Sequence, residues 1–291
     1  MSYVALGFII FSALMHAWWN VLVKRSSDKT VFIWWMFVAS GLLFQPLVYG
    51  MPQDFPVPTI KVWLAATAAA LCFVLYHLFN GRAFREGDLS LTYPLSQTST
   101  LYVPLWGVLL LGERLSVWGG VGILCIIAGA YTVQLPNLSL AQLLRPFYNL
   151  RQKSVQSALA AGFIYSVGSV LDKTGVSCYP PLHFTYLLVM IMLLMMSANL
   201  CRSRFRGRIL TVWQRNRNLI LWSGPVMLGS FVSFRYGLSL APVSYAVPVR
   251  QVSLLFGVLT GVLFLGESSG RMRFAGALLI VGGVFLIRLG G

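Results

Sequence analysis

Two arginines, Arg235 and Arg250, lie inside stretches that are otherwise almost wholly apolar. A guanidinium stays charged at any physiological pH, so in hydrocarbon it needs a partner or a route to water. Arginine holds phosphate, phosphonate or carboxylate through two parallel N–H bonds, which makes the expected chemistry capture of an anion rather than bond-making. Arg250 stands between Pro248 and Gln251, about 10 Å into its apolar segment at ~1.5 Å per helical residue, and Arg235 about 6 Å from the end of its own. At that depth Arg235 can snorkel to the interface. The acids in or beside the apolar segments are Asp172, Glu113 and Glu267, and each has a nearer basic neighbour, Lys173, Arg114 and Arg271 respectively. That arithmetic leaves Arg250 for a bound anion, with Arg235 assisting or guarding the mouth of the site.

Other polar residues recur at helical spacing within apolar segments: Ser12, His16 and Asn20; Tyr76, His77 and Asn80; Tyr93, Gln97 and Thr100; Tyr165 and Ser169, with Asp172 or Lys173. Each set falls on one helix face. An unpaired polar group facing lipid costs several kcal/mol, so these faces are expected to line one shared cavity. The plain alternative is hydrogen bonding between helices without a ligand. The expected substrate-binding set is Arg250, Arg235, Gln251, Gln97, Tyr93, His16, Asn20, Tyr76, Asn80, Tyr165 and Ser169. His16 can be read as a proton-transfer group or as a neutral donor to a neighbouring helix. Trp18 and Trp19 read as packing or interface anchors. Pro94 and Pro248 are expected hinges that loosen their helices beside the site. Asp172 and Lys173 read as a local ion pair near a helix end, Glu113 and Glu267 as partners of loop cations. No carboxylate falls clearly at mid-membrane, which argues against a proton relay through Asp or Glu.

The four cysteines, Cys72, Cys125, Cys178 and Cys201, have neither paired nor metal-ligand spacing, and the three histidines are scattered. Walker A, HExxH and GxSxG patterns do not occur. No catalytic residue, metal site or cofactor is therefore expected, and an enzyme finds no acid, base or metal constellation to work with.

The elements that must position these residues are set by composition. The chain has 291 residues, 57% hydrophobic and only 10% charged, with a mean hydropathy of +0.76; a soluble domain carries roughly a quarter charged residues. Apolar runs of about 20 residues suffice to cross ~30 Å of hydrocarbon. Helices are expected over 3–23, 31–49, 61–80, 89–111, 115–134, 155–172, 182–201, 218–239, 243–265 and 271–289. The first of these lacks the basic flank and cleavage site of a signal peptide, so it is read as a retained helix. The two halves repeat. A shift of 154 lays "LSLTYPLSQTSTLYVPLWGVLLLGE" over "VSYAVPVRQVSLLFGVLTGVLFLGE", matching Pro94 to Pro248 and Gln97 to Gln251; Gly122 and Gly129 then meet Gly276 and Gly283. Another offset lays "ALMHAWWNVLVK" (13–24) over "GFIYSVGSVLDK" (162–173). Five helices per copy is odd, so the second copy must be inverted in the membrane. The expected fold is an all-α integral membrane protein: a first five-helix repeat over 1–134, an interfacial linker over 135–154 and a second repeat over 155–291.

Two five-helix copies, with P-x-x-Q before "LLLGERLSVWGGVGILCIIAG" and again before "FLGESSGRMRFAGALLIVGG", resemble the EamA family of the drug/metabolite transporter superfamily along nearly the whole chain. The opening "FSALMHAWWNVLVKRS" is similar to a subgroup associated with phosphonate utilisation. The resemblance implies a carrier of small organic solutes. Related sugar-phosphate translocators hold phosphate with basic residues in helix 9, the helix that carries Arg250 here.

The net charge of +15 reflects the loops. Apart from Arg235 and Arg250, every Lys and Arg except Lys61, Arg114, Lys173 and Arg288 falls in the loops joining helices 1–2, 3–4, 5–6, 7–8 and 9–10. Short basic loops face the cytoplasm, which puts both termini on the opposite side, whereas relatives in the resembled family more often have cytosolic termini. The cluster "CRSRFRGRILTVWQRNR" is read as an anchor on anionic lipid headgroups, not as a nucleic-acid site. The expected setting is multi-pass in a bacterial inner membrane, as monomer or homodimer, with lipids and a small anionic substrate as partners. The expected function is secondary transport of a phosphate- or phosphonate-containing anion by alternating access. An exporter of amino acids or other zwitterionic or neutral metabolites, and a flippase of a lipid-linked phosphate, remain open beside it.

Overall fold

The computed structural model describes all residues except 51–55, 88, 136, 138, 140, 141, 143–147, 201, 202, 266–269 and 291. Every regular element among the described residues is helical. The first half holds α1 (Tyr3–Arg25), α2 (Lys29–Tyr49), α3 (Ile60–Glu86), α4 (Leu89–Ser96), α5 (Ser99–Leu111) and α6 (Val117–Thr132). The second holds α7 (Lys153–Cys178), α8 (Pro181–Leu200), α9 (Ser203–Leu240), α10 (Val243–Val249), a 3-10 turn (Arg250–Val252), α11 (Ser253–Leu265) and α12 (Arg271–Gly290). Among the described residues, six stretches are long and apolar enough to cross a membrane: α1, α2, α3, α7, Pro181–Ala198 of α8, and α12. Much of the expected linker and all of Glu267 lie outside the described residues.

The starts follow ordinary capping chemistry. Ser2, Asp28, Thr59 and Ser116 each precede a helix and accept a backbone N–H three residues on, satisfying amides that have no partner within the helix. Two helices outrun the apolar pattern that announces them. Helix α7 continues to Cys178, so Asp172 and Lys173 lie within it rather than at its end. The basic segment after α8, expected as a loop, is helical and merges into α9 across a kink at Asn216 (φ −124°, ψ 17°). There the Asn216 amide donates to Ser27 Oγ at 2.7 Å. The segment docks on α2: Trp35 Nε1 donates to the Ile209 carbonyl at 3.1 Å, Trp213 packs on Trp35, and Arg208 Nε donates to Asp28 at 2.7 Å.

Packing exchanges the halves. Helix α1 lies along α9, and its counterpart α7 lies along α3; α10 and α11 contact α1 as α4 and α5 contact α7; α6 pairs with α12. The last pair shows the symmetry most sharply. A Cβ placed on Gly122 would fall 2.6 Å from the Gly283 carbonyl oxygen, and one on Gly129 2.7 Å from that of Gly276. The reverse placements give 2.5 Å and 2.7 Å. Only hydrogen fits there, which brings the two backbones into direct contact. Position 122 meets 283 while 129 meets 276, so the helices run antiparallel, and each glycine touches the counterpart of the other. Equivalent helices that run antiparallel belong to copies of opposite direction.

Between α5 and α6, Gly112 takes the left-handed conformation (φ 64°) that a side chain would resist. The turn presents Glu113 to the start of α10. Its carboxylate accepts from Val243 N at 2.7 Å, Ser244 N at 3.0 Å and Ser244 Oγ at 2.5 Å. Glu113 thus joins the two halves through backbone amides, where the sequence suggested a loop cation.

Candidate functional site

A cavity lies where the copies meet. It is built around two interrupted helices. In the first copy the chain leaves α4 after Ser96 and resumes at Ser99; in the second, α10 gives way to the 3-10 turn at Arg250. The first interruption begins three residues after Pro94 and the second two residues after Pro248, its match in the repeat. The first is reinforced locally. Ser96 Oγ donates to the Tyr93 carbonyl at 2.8 Å and Thr98 Oγ1 to that of Leu95 at 2.7 Å, hydroxyls competing with the helical ladder.

At the two interruptions the repeat touches itself. Gln251 Nε2 donates to Gln97 Oε1 at 3.1 Å and to Thr100 Oγ1 at 2.7 Å. Ser99 and Ser253, Tyr93 and Val247, also matched by the 154-residue shift, line the cavity alongside them. Arg250 projects beside this pair. Its Nη1 donates to the Tyr165 hydroxyl at 3.3 Å, its Nη2 stands 3.5 Å from His16 Nδ1, and its guanidinium carbon lies 4.3 Å from the centre of the Phe234 ring. His16 and Tyr165 hold equivalent places in α1 and α7, so the two copies grip one cation from both sides. Arg250 Nε is buried without a hydrogen-bond partner, and among the described residues no carboxylate forms an ion pair with Arg250.

Arg235 is differently placed. Its Nε donates to Asp172 Oδ1 at 2.8 Å, with both side chains nearly inaccessible at 4% and 2%. The sequence expectation of an Asp172–Lys173 pair is corrected here. Successive helical residues point about 100° apart, so Asp172 turns into the cavity while Lys173 turns to the end of α9. Lys173 Nζ donates there to the carbonyls of Leu238 at 2.7 Å and Ala241 at 2.9 Å, as a cation does at a helix C-terminus. A carboxylate does stand inside the bundle, contrary to expectation, and it answers Arg235.

Of the other expected residues, Gln97, Tyr93, His16, Tyr76 and Tyr165 line the cavity together with Arg250, Arg235 and Gln251. Asn20 does not: it is exposed. A four-residue step advances the helix face by about 40°, so Asn20 has turned about 80° from Ser12, which binds the Ser230 carbonyl at 2.7 Å. Asn80 is buried but off the cavity lining, and Ser169 bonds back to the Tyr165 carbonyl at 2.9 Å.

Sequence reasoning missed the aromatic wall. Trp19, read as an anchor, is 5% exposed and lines the cavity, while Trp18 faces outward at 48%. Phe73, Phe231 and Phe234 complete the wall. The available signal was spacing: Phe73 lies three or four residues from Tyr76 and His77, and Phe231 and Phe234 precede Arg235 by one turn or less.

Comparison with known proteins agrees with this architecture. The family model described as "EamA-like transporter family" matches twice, over residues 4–135 and 152–289. A curated relative from Sinorhizobium sp, named "Uncharacterized transporter in cobO 3'region", is 34% identical over 79 residues. That match covers 27% of this chain and 54% of the relative, so the chain spans about half the length of that relative. A solved crystal structure superposes with a TM-score of 0.79, covering 99% of this chain and 98% of the other. At 14% identity it speaks for the fold alone.

Proposed function

This chain belongs to the EamA-like transporter family, and on that premise we propose that it is a secondary carrier of a small organic anion, working by alternating access with ten membrane-crossing segments. The observation that carries the reading is Arg250: a cation beside the self-contact of the repeat, lining a cavity, with no carboxylate paired to it among the described residues. Its remaining N–H groups suit a carboxylate, phosphate or phosphonate oxygen. Antiparallel copies with interrupted helices at a shared cavity are the architecture on which rocking of one bundle against the other exposes a site alternately to each side. The zwitterion alternative is weakened because Asp172, the carboxylate that would meet an ammonium group, is held by Arg235. Basic loops concentrated on one face support an inner-membrane setting with outward termini.

The test is uptake of radiolabelled methylphosphonate, phosphonoacetate, acetate and benzoate into proteoliposomes holding wild type, Arg250→Gln or Arg250→Lys. A charge-assisted bidentate contact contributes roughly 1.5–3 kcal/mol, so Arg250→Gln is expected to weaken binding of a transported anion about ten- to a hundredfold. Arg250→Lys keeps the charge but loses the fork, and recovers only part. Equal uptake by Arg250→Gln and wild type would overturn the reading.

A further inference from the structure

We infer that the substrate is an amphipathic monoanion, with one singly charged head on Arg250 and a flat, uncharged aromatic body held by a closed belt of rings. This rests on the reading of the cavity as an anion carrier's site. The belt can be traced residue by residue. Arg250 donates to Tyr165 at 3.3 Å; the Tyr165 ring lies 4.9 Å from Tyr76, Tyr76 5.2 Å from His77, His77 6.4 Å from Trp19, and Trp19 5.1 Å from His16. His16 Nδ1 returns to Arg250 at 3.5 Å. All six residues line the cavity, and they come from α1, α3, α7 and the 3-10 turn. No single helix carries this pattern; the packing closes it.

Three observations fix the chemistry of the occupant. First, charge: the cavity lining carries Arg250 and Arg235 against Asp172, and the last two are paired. One positive charge remains, which matches a carboxylate, a phosphodiester or a phosphonate monoester better than a doubly charged phosphate. Second, hydrogen bonding: a polyhydroxylated body needs several free donors and acceptors, but the Gln251 amide already donates to Gln97 and Thr100. Half of the lining side chains are aromatic rings, the imidazoles of His16 and His77 among them, and their faces and edges favour offset or edge-to-face contact with another ring. Third, cations: aromatic cages also bind quaternary ammonium groups, but here the arginines already occupy two of the faces, Arg250 4.3 Å from the Phe234 centroid and Arg235 5.2 Å from that of Phe231. A further cation would meet the net positive charge of the lining.

The experiment is equilibrium dialysis of the purified full chain in detergent against labelled benzoate, acetate, inorganic phosphate and glycine betaine. Benzoate is expected to bind saturably at least about tenfold tighter than acetate, through ring contacts and apolar burial, with phosphate no tighter than acetate. Arg250→Gln should weaken benzoate binding about ten- to a hundredfold. Tyr76→Leu should bring benzoate towards the acetate level, and Tyr76→Phe, which keeps the ring, should retain tight binding; size-exclusion profiles confirm that each variant is folded. Should Tyr76→Leu not fold, Phe73→Leu serves as the second wall variant. Acetate or phosphate binding as tightly as benzoate, and dependent on Arg250, would overturn the aromatic body while leaving the anion carrier intact. Tighter binding of glycine betaine than of benzoate would overturn it in favour of a cation cage. Binding of none of the anions in an Arg250-dependent way would overturn the carrier reading itself.

Discussion

Gln251 gives its side-chain amide to Gln97 across 3.1 Å, and these two residues occupy the same position in the two copies of the repeat. A residue can touch its own counterpart only at the symmetry axis. The contact therefore marks the centre of the molecule's internal two-fold, and Arg250, next in the chain, stands beside it. The matching position in the first copy is Ser96, so the pseudo-symmetric cavity is basic on one side only.

The glutamine pair should be energetically coupled. Gln251→Leu leaves buried groups on Gln97 and Thr100 without their donor, an expected loss of about 1–3 kcal/mol. Once that donor is gone, Gln97→Leu in the same chain removes an unsatisfied group, so the double variant should lose less than the sum of the singles. Thermal unfolding of the four purified forms in detergent measures this. Strict additivity would show that the two side chains do not depend on each other.

The Arg235–Asp172 pair should matter for folding more than its chemistry suggests. Asp172→Asn strands a guanidinium in a 4%-exposed site, where breaking a buried pair typically costs about 3–5 kcal/mol. Removing both charges, in Asp172→Leu with Arg235→Met, should recover much of that stability, because neither ion is then desolvated. Yield of monodisperse protein and thermal midpoints give the readout. A double variant as unstable as Asp172→Asn would show that the pair organises more than its own charges.

Helix α6 contains its own control for the close contact with α12. A Cβ at Gly120 meets nothing within 4 Å, whereas one at Gly122 falls on the Gly283 carbonyl. Gly120→Ala should be neutral or gain about 0.5–1 kcal/mol through lower chain entropy. Gly122→Ala should lose about 1–3 kcal/mol by forcing the backbones apart. Equal midpoints for the two variants would mean that the helices separate freely.

Orientation follows from charge. With Lys and Arg gathered around the α1–α2, α3–α4, α6–α7, α8–α9 and α11–α12 junctions, both ends of the chain should face away from the cytoplasm. Paired C-terminal reporters, one active only inside and one only outside, decide it. A signal from the inside reporter alone would reverse the assignment.

Most helical segments, their duplication and the arginine with no nearby acid were legible in the sequence by itself, because these depend on composition, on self-similarity and on local order along the chain. A span must be apolar wherever its neighbours lie, and the 154-residue register that pairs Gln97 with Gln251 is visible in the letters. Helix ends were less legible, since α7 and α9 continue through polar residues that packing, not hydropathy, keeps helical. Tertiary structure alone decided which partner each charge takes. Asp172 and Lys173 are adjacent in sequence, yet about 100° of helix rotation sends one to Arg235 and the other to the carbonyls at the end of α9. Equally, Asn20 looked aligned with His16 but has turned outward, while Trp19 has turned in. The aromatic belt was hidden for the same reason. Its members sit on three helices and a turn, and a ring that closes only between segments leaves no periodic trace in any one of them.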